Sequence, residues 1–200
     1  MRGLLALLLG LAAALIYQRA RASTAPDLTG DETPSGSTGA AAASKNLTAF
    51  LRLVRVAESG DDYSALVGGG NITDFSRHPA ALGWPGIRTA DGRKSTAAGA
   101  YQITLTTWNE ITPKVFRTGV DENGNNLADF TPGSQDQAAL WIIQFKRPGA
   151  WTLIAEGKLN EALTRLRQEW ESFDRMLTGN YSITLAQAQD IYIMAGGSVA

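Results

Sequence analysis

The sequence places one carboxylate, Glu58, where a soluble helix normally carries an aliphatic side chain. The apolar residues that precede it recur at the three- and four-residue spacing of a buried helical stripe: Leu47, Phe50, Leu51, Val54 and Ala57. Glu58 lies on the same face, and Ser59-Gly60 then ends the helix. Burial and the negative end of the helix dipole both disfavour a charged carboxyl group, so we expect a raised pKa. A raised pKa suits a general acid that works near neutral pH.

Three later segments contain residues that could bind an extended polar ligand beside this acid. Gly68-Gly69-Gly70 carries no side chains and lets a ligand approach the backbone. Residues 73–79 form an Asx-type turn next to aromatic and basic groups. Residues 95–102 lead from small residues into Tyr101-Gln102, whose polar groups can hydrogen-bond hydroxyls and acetamides.

Each of these residues also has a purely structural interpretation. An isolated Glu58 would more often extend to solvent, and Arg55 would oppose a raised pKa if its side chain turned back. Asp74 is a natural turn-former, because its carboxylate can accept backbone N–H groups. Tyr101 and Gln102 could form a strand-to-helix junction with a buried aromatic ring. Taken one residue at a time, these structural interpretations remain open.

The elements that would position these residues are mainly helical. The first helix ends at Glu58, and short apolar pieces such as residues 65–67 then alternate with turn signals, which predicts a small antiparallel hairpin. We expect four further helices. One runs from near Thr104 to before Pro113, and the next is opened by a Ser134/Gln137 capping box and has an apolar stripe of Ala138, Trp141, Ile142 and Phe145. Another carries Leu159, Leu163, Leu166 and Trp170, and the last runs from near Leu185 to Ala195. The fold class is therefore α+β.

Composition excludes several kinds of site. A formal charge of −1 and a pI near 5.8 provide no positive field for a nucleic-acid partner. The chain has no cysteine, which excludes disulfides, thiolate metal sites and a cysteine nucleophile. The one histidine, His78, lies in a His-Pro turn and is expected to be structural. We therefore expect no metal, no cofactor and no nucleic-acid partner, and nothing indicates an assembly larger than a monomer.

The N-terminal part of the sequence has the composition of an export segment followed by a linker. Arg2 precedes an uncharged run over residues 3–17, and a fifteen-residue helix spans only ~22 Å of a hydrocarbon core that is ~30 Å thick. Residues 1–22 are thus expected to form a signal peptide or an uncleaved signal-anchor, an apolar helix that would place residues 3–17 in the membrane. Residues 23–44 read as a flexible Ser/Thr/Gly/Ala/Pro linker, and residues 45–200 as the globular domain.

The ordered motifs resemble the lambda-phage type of endolysin, the lysozyme-like lytic transglycosylases of glycoside hydrolase family 104. Glu-Ser alone would be a weak signal, but the set is ordered and covers about residues 46 to 199. The matching motifs are Ala57-Glu58-Ser59-Gly60, Tyr63 with Val67-Gly68-Gly69, Thr73-Asp74-Phe75-Ser76 with His78-Pro79, Ser95-Thr96 with Gly99, Tyr101 and Gln102, then Phe130, Pro132, Ser134-Gln135-Asp136 and Ala195-Gly196-Gly197-Ser198-Val199. Residues 80–94 differ from the corresponding phage loop.

The resemblance implies a lysozyme-like domain whose cleft, lined by the small hairpin, cuts peptidoglycan glycan strands in the periplasm or cell wall. It implies that Glu58 is the catalytic acid. The substrate-binding residues expected on this basis are Ser59, Tyr63, Gly68, Gly69, Asp74, Ser95, Tyr101 and Gln102. Trp84, in a Gly-Trp-Pro-Gly loop of the divergent segment, is the best candidate for stacking on a sugar face.

The number of carboxylates bears on the reaction. Hydrolytic glycosidases usually need two carboxyl groups, whereas a lytic transglycosylase can use one. Asp61, Asp62 and Asp74 are the candidates for a second group, and all three have structural interpretations as caps or turn-formers. We therefore expect non-hydrolytic cleavage between N-acetylmuramic acid and N-acetylglucosamine that gives a 1,6-anhydro sugar. The alternatives are a hydrolytic muramidase that uses Asp74, and a non-catalytic glycan-binding module.

Overall fold

The computed structural model describes residues 37–90 and 92–200. The expected signal peptide or anchor over residues 1–22, and residues 23–36 of the expected linker, lie outside the described residues. Within the described part, no helix is both long and apolar enough to cross a membrane. Residues from Ala42 to Ala200 form one compact unit.

The first helix, α1, spans Ser37–Ser59 and ends as the sequence indicates, with Gly60 in the left-handed region at φ +73°. Its predicted apolar stripe is buried, with Phe50 and Val54 fully inaccessible to solvent. The helix begins inside the expected linker, so residues 37–44 are helical. The alanines at positions 40–43 explain the difference, because alanine has the highest helix propensity even where no apolar periodicity is present.

The rest of the described chain confirms a mostly helical α+β architecture with one small antiparallel pair of strands. The strands β1 and β2 span Ile87–Arg88 and Lys94–Ser95, and Ile87 lies opposite Ser95. A 3-10 turn over Pro79–Leu82 precedes them. The later helices are α2 (Leu105–Val115), α3 (Pro132–Trp141), α4 (Ala150–Ala155), α5 (Leu159–Leu166), α6 (Glu171–Leu177) and α7 (Leu185–Met194).

The structure corrects the end of α2. The sequence predicts a stop before Pro113, but the helix continues through that proline to Val115. Pro113 lies in the last turn, where its missing N–H removes a single backbone hydrogen bond. Trp108 and Ile111 are fully buried on this helix, so packing against the core outweighs that loss.

The start of α3 and its apolar face also differ from expectation. The helix begins at Pro132 rather than at Ser134, and the Ser134 hydroxyl donates to Asp129 Oδ1 at 2.6 Å instead of forming a capping box with Gln137. A π-helical turn, Ile142–Lys146, follows α3 and contains one residue more per turn than an α-helix. That shift turns Phe145 outward to 57% exposure, so it does not belong to the buried stripe.

Two short helices, α4 and α6, have no counterpart among the sequence predictions. Trp170 is not on the same helix as Leu166, because α5 ends at Leu166 and Trp170 is the residue before α6. The last helix agrees with expectation. It begins at Leu185 after a capping box between Thr184 and Gln187.

The amide of Gln135 connects three segments that surround the end of α1. Gln135 is fully buried; its Nε2 donates to the backbone oxygens of Tyr63 (3.1 Å) and Phe130 (2.8 Å), and its Oε1 accepts from Ala100 N (2.8 Å). Gly99 passes so close that a Cβ at that position would lie 2.2 Å from Oε1. Gly99 also has a φ of +73°, where a side chain is strained.

We expect Gly99→Ala to lower the free energy of unfolding by about 2–3 kcal/mol, because it combines backbone strain with displacement of the Gln135 amide. Urea unfolding monitored by circular dichroism measures this change. Gly133→Ala is the matched control, since that glycine in α3 has no atom within 4 Å of an added Cβ. The control should stay within about 1 kcal/mol of the wild type. Equal effects at the two positions would contradict the role given to Gln135.

Candidate active site

The carboxyl group of Glu58 lies where the C-terminal end of α1 meets the start of α6. Its Oε1 accepts a hydrogen bond of 2.5 Å from the Ser172 hydroxyl, and the side chain is only partly accessible to solvent. Burial raises the pKa of Glu58 above its ordinary value, and the negative charge of Glu171 adds to that effect. Hydrogen bonding from Ser172 and the positive charge of Arg175 act in the opposite direction without cancelling it. Glu58 is thus a carboxyl group that holds its proton more firmly than an exposed glutamate.

Arg55 does not turn back toward Glu58. Its Nε bonds to Asp61 Oδ1 at 2.6 Å, and its Nη1 donates to the Tyr101 hydroxyl at 3.2 Å. The guanidinium also lies 5.3 Å from the centre of the Tyr63 ring. The sequence left open whether Arg55 opposes a raised pKa of Glu58. It does not, because other partners hold the guanidinium of this arginine.

Tyr63 and Tyr101 both donate to the same carboxylate oxygen, Oδ1 of Asp136, at 2.7 and 2.6 Å. Burial and the neighbouring Asp136 charge raise the pKa of each hydroxyl. Tyr101 is 1% exposed and Tyr63 is half-buried, and their rings meet edge to face. The structure therefore brings both tyrosines to the end of α1, but their hydroxyls are occupied by Asp136.

Ser59 and Gln102 hold the backbone around the acid. The Ser59 hydroxyl lies 3.0 Å from the backbone oxygen of Ala100 and accepts from Asp62 N at 3.1 Å. Gln102 has a φ of +48°, a strained left-handed conformation for a residue with a side chain. Its side-chain amide donates to Gly99 O at 3.0 Å. Such strain is often found at functional sites.

The glycine run forms a turn, in which Leu66 N donates to Gly70 O at 3.1 Å and Gly69 N donates to Leu66 O at 3.0 Å. Gly68, Gly69 and Gly70 all have positive φ, at +82°, +102° and +91°. An added Cβ on Gly68 would lie 2.9 Å from the Ile87 side chain, whereas one on Gly69 would meet no atom within 4 Å. Gly68 therefore packs against β1, and Gly69 leaves its backbone open to an approaching ligand.

The remaining predicted binding residues lie in the loops around the two strands. Trp84 is half-buried at the edge of the core, and its backbone N–H donates to Pro79 O at 3.0 Å. Ser95 ends β2, and its hydroxyl accepts from Ala97 N at 3.3 Å. Asp74 is exposed and accepts from Ser76 N at 2.8 Å, which lowers its pKa. Asp74 thus adopts the Asx turn that its sequence context indicated.

His78 is structural, as its turn context predicted. The ring is fully buried, its Nε2 lies 3.0 Å from Ile103 O, and its Nδ1 accepts from Ala80 N at 3.2 Å. Burial lowers its pKa to about 4, so the imidazole is neutral at physiological pH. The described residues contain no group of three or more His, Cys, Asp or Glu side chains that could hold a metal ion.

The other two acidic residues near the end of α1 are held in structural contacts. Asp61 follows Gly60 with a φ of +71° and pairs with Arg55. Asp62 accepts from the backbone N–H and the hydroxyl of Ser64, both at 2.7 Å, which lowers its pKa. The carboxylate whose charge acts most strongly on Glu58 is instead Glu171, which pairs with Arg175 at 2.6 Å.

The sequence did not reveal that residues of α6 and of the loop after it surround Glu58. Ser172 is 6% exposed, and the Tyr181 hydroxyl donates to the backbone oxygen of Ala57, next to Glu58. These residues lie more than a hundred positions from Glu58, and α6 was not predicted. A small polar residue between two buried aromatics, Trp170 and Phe173, is the one signal that could have drawn attention to Ser172.

Comparison with known proteins gives one consistent result. Residues 48–199 match the sequence model of the Endolysin family. Two curated relatives are the endolysin of Escherichia phage P2, 29% identical with 76% of this chain and 94% of the relative covered, and the endolysin of Escherichia phage lambda, 29% identical with 76% and 91% covered. The structure is similar to bacteriophage lambda lysozyme complexed with a chitohexasaccharide, with a TM-score of 0.59, 27% identity, and coverage of 78% of this chain and 97% of that one.

The raised pKa of Glu58 has a consequence for stability. Folding favours the protonated carboxyl, so protonated Glu58 contributes to the free energy of unfolding. This contribution is fully present below the ordinary glutamate pKa of 4.5, and it is lost as pH rises through the folded-state pKa. Glu58→Gln keeps an acceptor for Ser172 but cannot ionise. We expect the variant to exceed the wild type in free energy of unfolding by about 1 kcal/mol near pH 8. Urea unfolding should show this gain shrink toward pH 4, and a gain that does not change with pH would contradict the assignment.

Proposed function

The chain belongs to the endolysin family, and we propose that it cleaves peptidoglycan glycan strands as a lytic transglycosylase with Glu58 as its acid and base. The coarser conclusion, a peptidoglycan-degrading glycosidase, follows from the family and the lambda lysozyme-like fold. The observation that carries the finer proposal is the half-buried Glu58 carboxyl with its raised pKa. A general acid has to keep a proton near neutral pH until the leaving oxygen needs it.

The state of the neighbouring carboxylates supports one acidic group acting alone. Asp61 and Asp62 are held by Arg55 and Ser64, and Asp74 closes its own turn in an exposed loop. None of the three has the burial that raises the pKa of Glu58. A hydrolytic mechanism usually needs a second carboxylate at roughly 5–9.5 Å, either as nucleophile or as base for water. A transglycosylase avoids that need because the substrate supplies its own nucleophile.

The steps balance with a single residue. Glu58 gives its proton to the glycosidic oxygen between C1 of N-acetylmuramic acid and N-acetylglucosamine, and the C1–O bond breaks. The 6-hydroxyl of the same muramic acid attacks C1, assisted by the Glu58 carboxylate or by the substrate acetamide, and its proton passes to Glu58. The products are a 1,6-anhydro-muramic end and a free 4-hydroxyl on the glucosamine. No water is consumed, and Glu58 returns to its protonated state.

Several other residues are proposed to bind the glycan. The open backbone at Gly69 and the amide of Gln102 offer polar groups to sugar hydroxyls and acetamides. Trp84, in the loop before β1, and Ser95, at the end of β2, would contact the sugar rings. The hydroxyls of Tyr63 and Tyr101 are already bonded to Asp136, so we propose that these two residues support the site rather than donate to the sugar. Lambda lysozyme in complex with a chitohexasaccharide supports a glycan as the ligand.

We expect the most direct test of the reaction to come from Glu58→Gln and from the products. The variant should clear cell walls in a zymogram at least 10²-fold less than the wild type, since general acid catalysis contributes about 10²–10⁴. Mass spectrometry of wild-type digests of sacculi should show anhydro-muramic ends, which are one water lighter than reducing ends. Glu156→Gln is the matched control, because Glu156 also ends a helix before a glycine but is exposed and pairs with Lys158. It should keep full activity.

Each alternative predicts a different outcome. Digests that contain reducing ends alone would overturn the transglycosylase mechanism, and loss of those products in Asp74→Asn would then favour a hydrolytic muramidase. Full clearing by Glu58→Gln would remove this residue from the catalytic role. A wild-type protein that binds sacculi without clearing them would favour a glycan-binding module.

Export is proposed from the sequence of residues 1–22. The basic start, the apolar run over residues 3–17 and the Ala-x-Ala before Ser23 fit a signal that directs the enzyme across the inner membrane to its substrate. We expect fractionation of cells that express the full chain to find the globular domain outside the cytoplasm. N-terminal sequencing then distinguishes a cleaved signal, with a new terminus near Ser23, from an anchor that keeps Met1. Protein found only in the cytoplasm would contradict export.

A further inference from the structure

The two oxygens of the Glu58 carboxyl have different surroundings, and Ser172 is the reason. The Ser172 hydroxyl donates to Oε1 at 2.5 Å from a position that is almost completely buried. We infer that Ser172 is a positioning residue that keeps Oε1 as an acceptor and thereby places the exchangeable proton of Glu58 on Oε2. The inference rests on the proposed function, in which Glu58 is the acid.

The chemistry of the two groups carries this assignment. A protonated carboxyl group has one O–H donor and one oxygen that can only accept. Within the part of the chain that the structure describes, the Ser172 hydroxyl reaches no acceptor other than Glu58. A proton on Oε1 would place two hydrogens between the same pair of oxygens, or leave the serine hydrogen buried without an acceptor, which is costly. The proton on Oε2 satisfies both groups at once.

The same contact persists through the reaction. After Oε2 has given its proton to the leaving oxygen, Oε1 still accepts from Ser172, and the hydrogen bond to a charged group becomes stronger. Ser172 therefore holds the carboxyl plane in one orientation in both protonation states. Because the serine hydroxyl is neutral, it orients the acid without supplying the charge that would remove its proton.

Other groups near Glu58 do not replace this contact. On α6, Glu171 and Arg175 act on Glu58 through their charges, but they are paired with each other at 2.6 Å. From the loop after α6, the Tyr181 hydroxyl is used by the backbone oxygen of Ala57. On α1 itself, Arg55 is bonded to Asp61 and Tyr101. The neutral donors to the acid thus both come from Ser172: its hydroxyl, and its backbone N–H, which acts on the pKa of Glu58 in the same direction and remains in Ser172→Ala.

Kinetics and the titration of Glu58 test this role with Ser172→Ala and Ser172→Thr. We expect Ser172→Ala to lower kcat about tenfold with little change in KM, the effect of losing one hydrogen bond to a charged group. Loss of the donor should also raise the pKa of Glu58, so the alkaline limb of the kcat profile moves to higher pH. Carbon NMR of labelled glutamate carboxyls, assigned by the missing signal in Glu58→Gln, should show the same upward shift. Ser172→Thr retains the hydroxyl and should restore both values.

Ser134→Ala is the matched control. Ser134 is another buried serine that donates to a carboxylate at 2.6 Å, but that carboxylate is Asp129 and not Glu58. Its substitution should lower stability and leave the Glu58 titration and kcat profile unchanged. If Ser172→Ala changed neither the pKa of Glu58 nor kcat, the inference about Ser172 would be overturned. The proposed function would still stand if Glu58→Gln was inactive. An active Glu58→Gln would overturn the proposed function itself, whatever Ser172→Ala did.

Discussion

The structure depends on keeping one carboxyl group partly out of water without giving it a positive partner. Glu58 lies in the last turn of a helix whose inward face is mainly apolar, so burial opposes its charged form. Left alone, such a group would reach out to solvent or unfold the last turn of α1. Ser172, 114 residues away, prevents this with a neutral hydrogen bond that requires α6 to pack against the end of α1. In the mechanism that we propose, the placement of α6 therefore bears directly on the state of the acid.

The positive charge that could have quenched the acid is held away by a second polar cluster. Arg55 lies one turn before Glu58, yet its guanidinium is bound by Asp61 and Tyr101 and lies against Tyr63. Asp136 ties both tyrosines to α3, which keeps that cluster in place. The residues that matched binding motifs in the sequence thus have a structural effect besides the glycan binding that we propose for them. They hold the Arg55 guanidinium in contacts other than an ion pair with Glu58.

How much could be predicted from the sequence depended on how local the signal was. The stripe of α1, the stop at Gly60 and the turn at His78 are set by neighbours within a few residues, and all were predictable. The helix through Pro113 and the outward turn of Phe145 were not, because core packing and a π-helical turn decide them. Ser172 was not predictable for a related reason. Its contact joins distant segments, and its local context, a serine between two aromatics, does not show which residue it bonds.

The proposal of a single acid agrees with the contacts that the other nearby carboxylates make. An ionised carboxylate close to Glu58 would raise its pKa further, as Glu171 already does, and a mobile one could bind the water that hydrolysis needs. Asp62 is bonded to Ser64, and Asp74 is bonded within its own exposed turn. Glu171 pairs with Arg175, whose positive charge opposes the effect of Glu171 on the pKa of Glu58. In the mechanism that we propose, the substrate's own 6-hydroxyl is therefore the nucleophile, because it needs no second carboxylate.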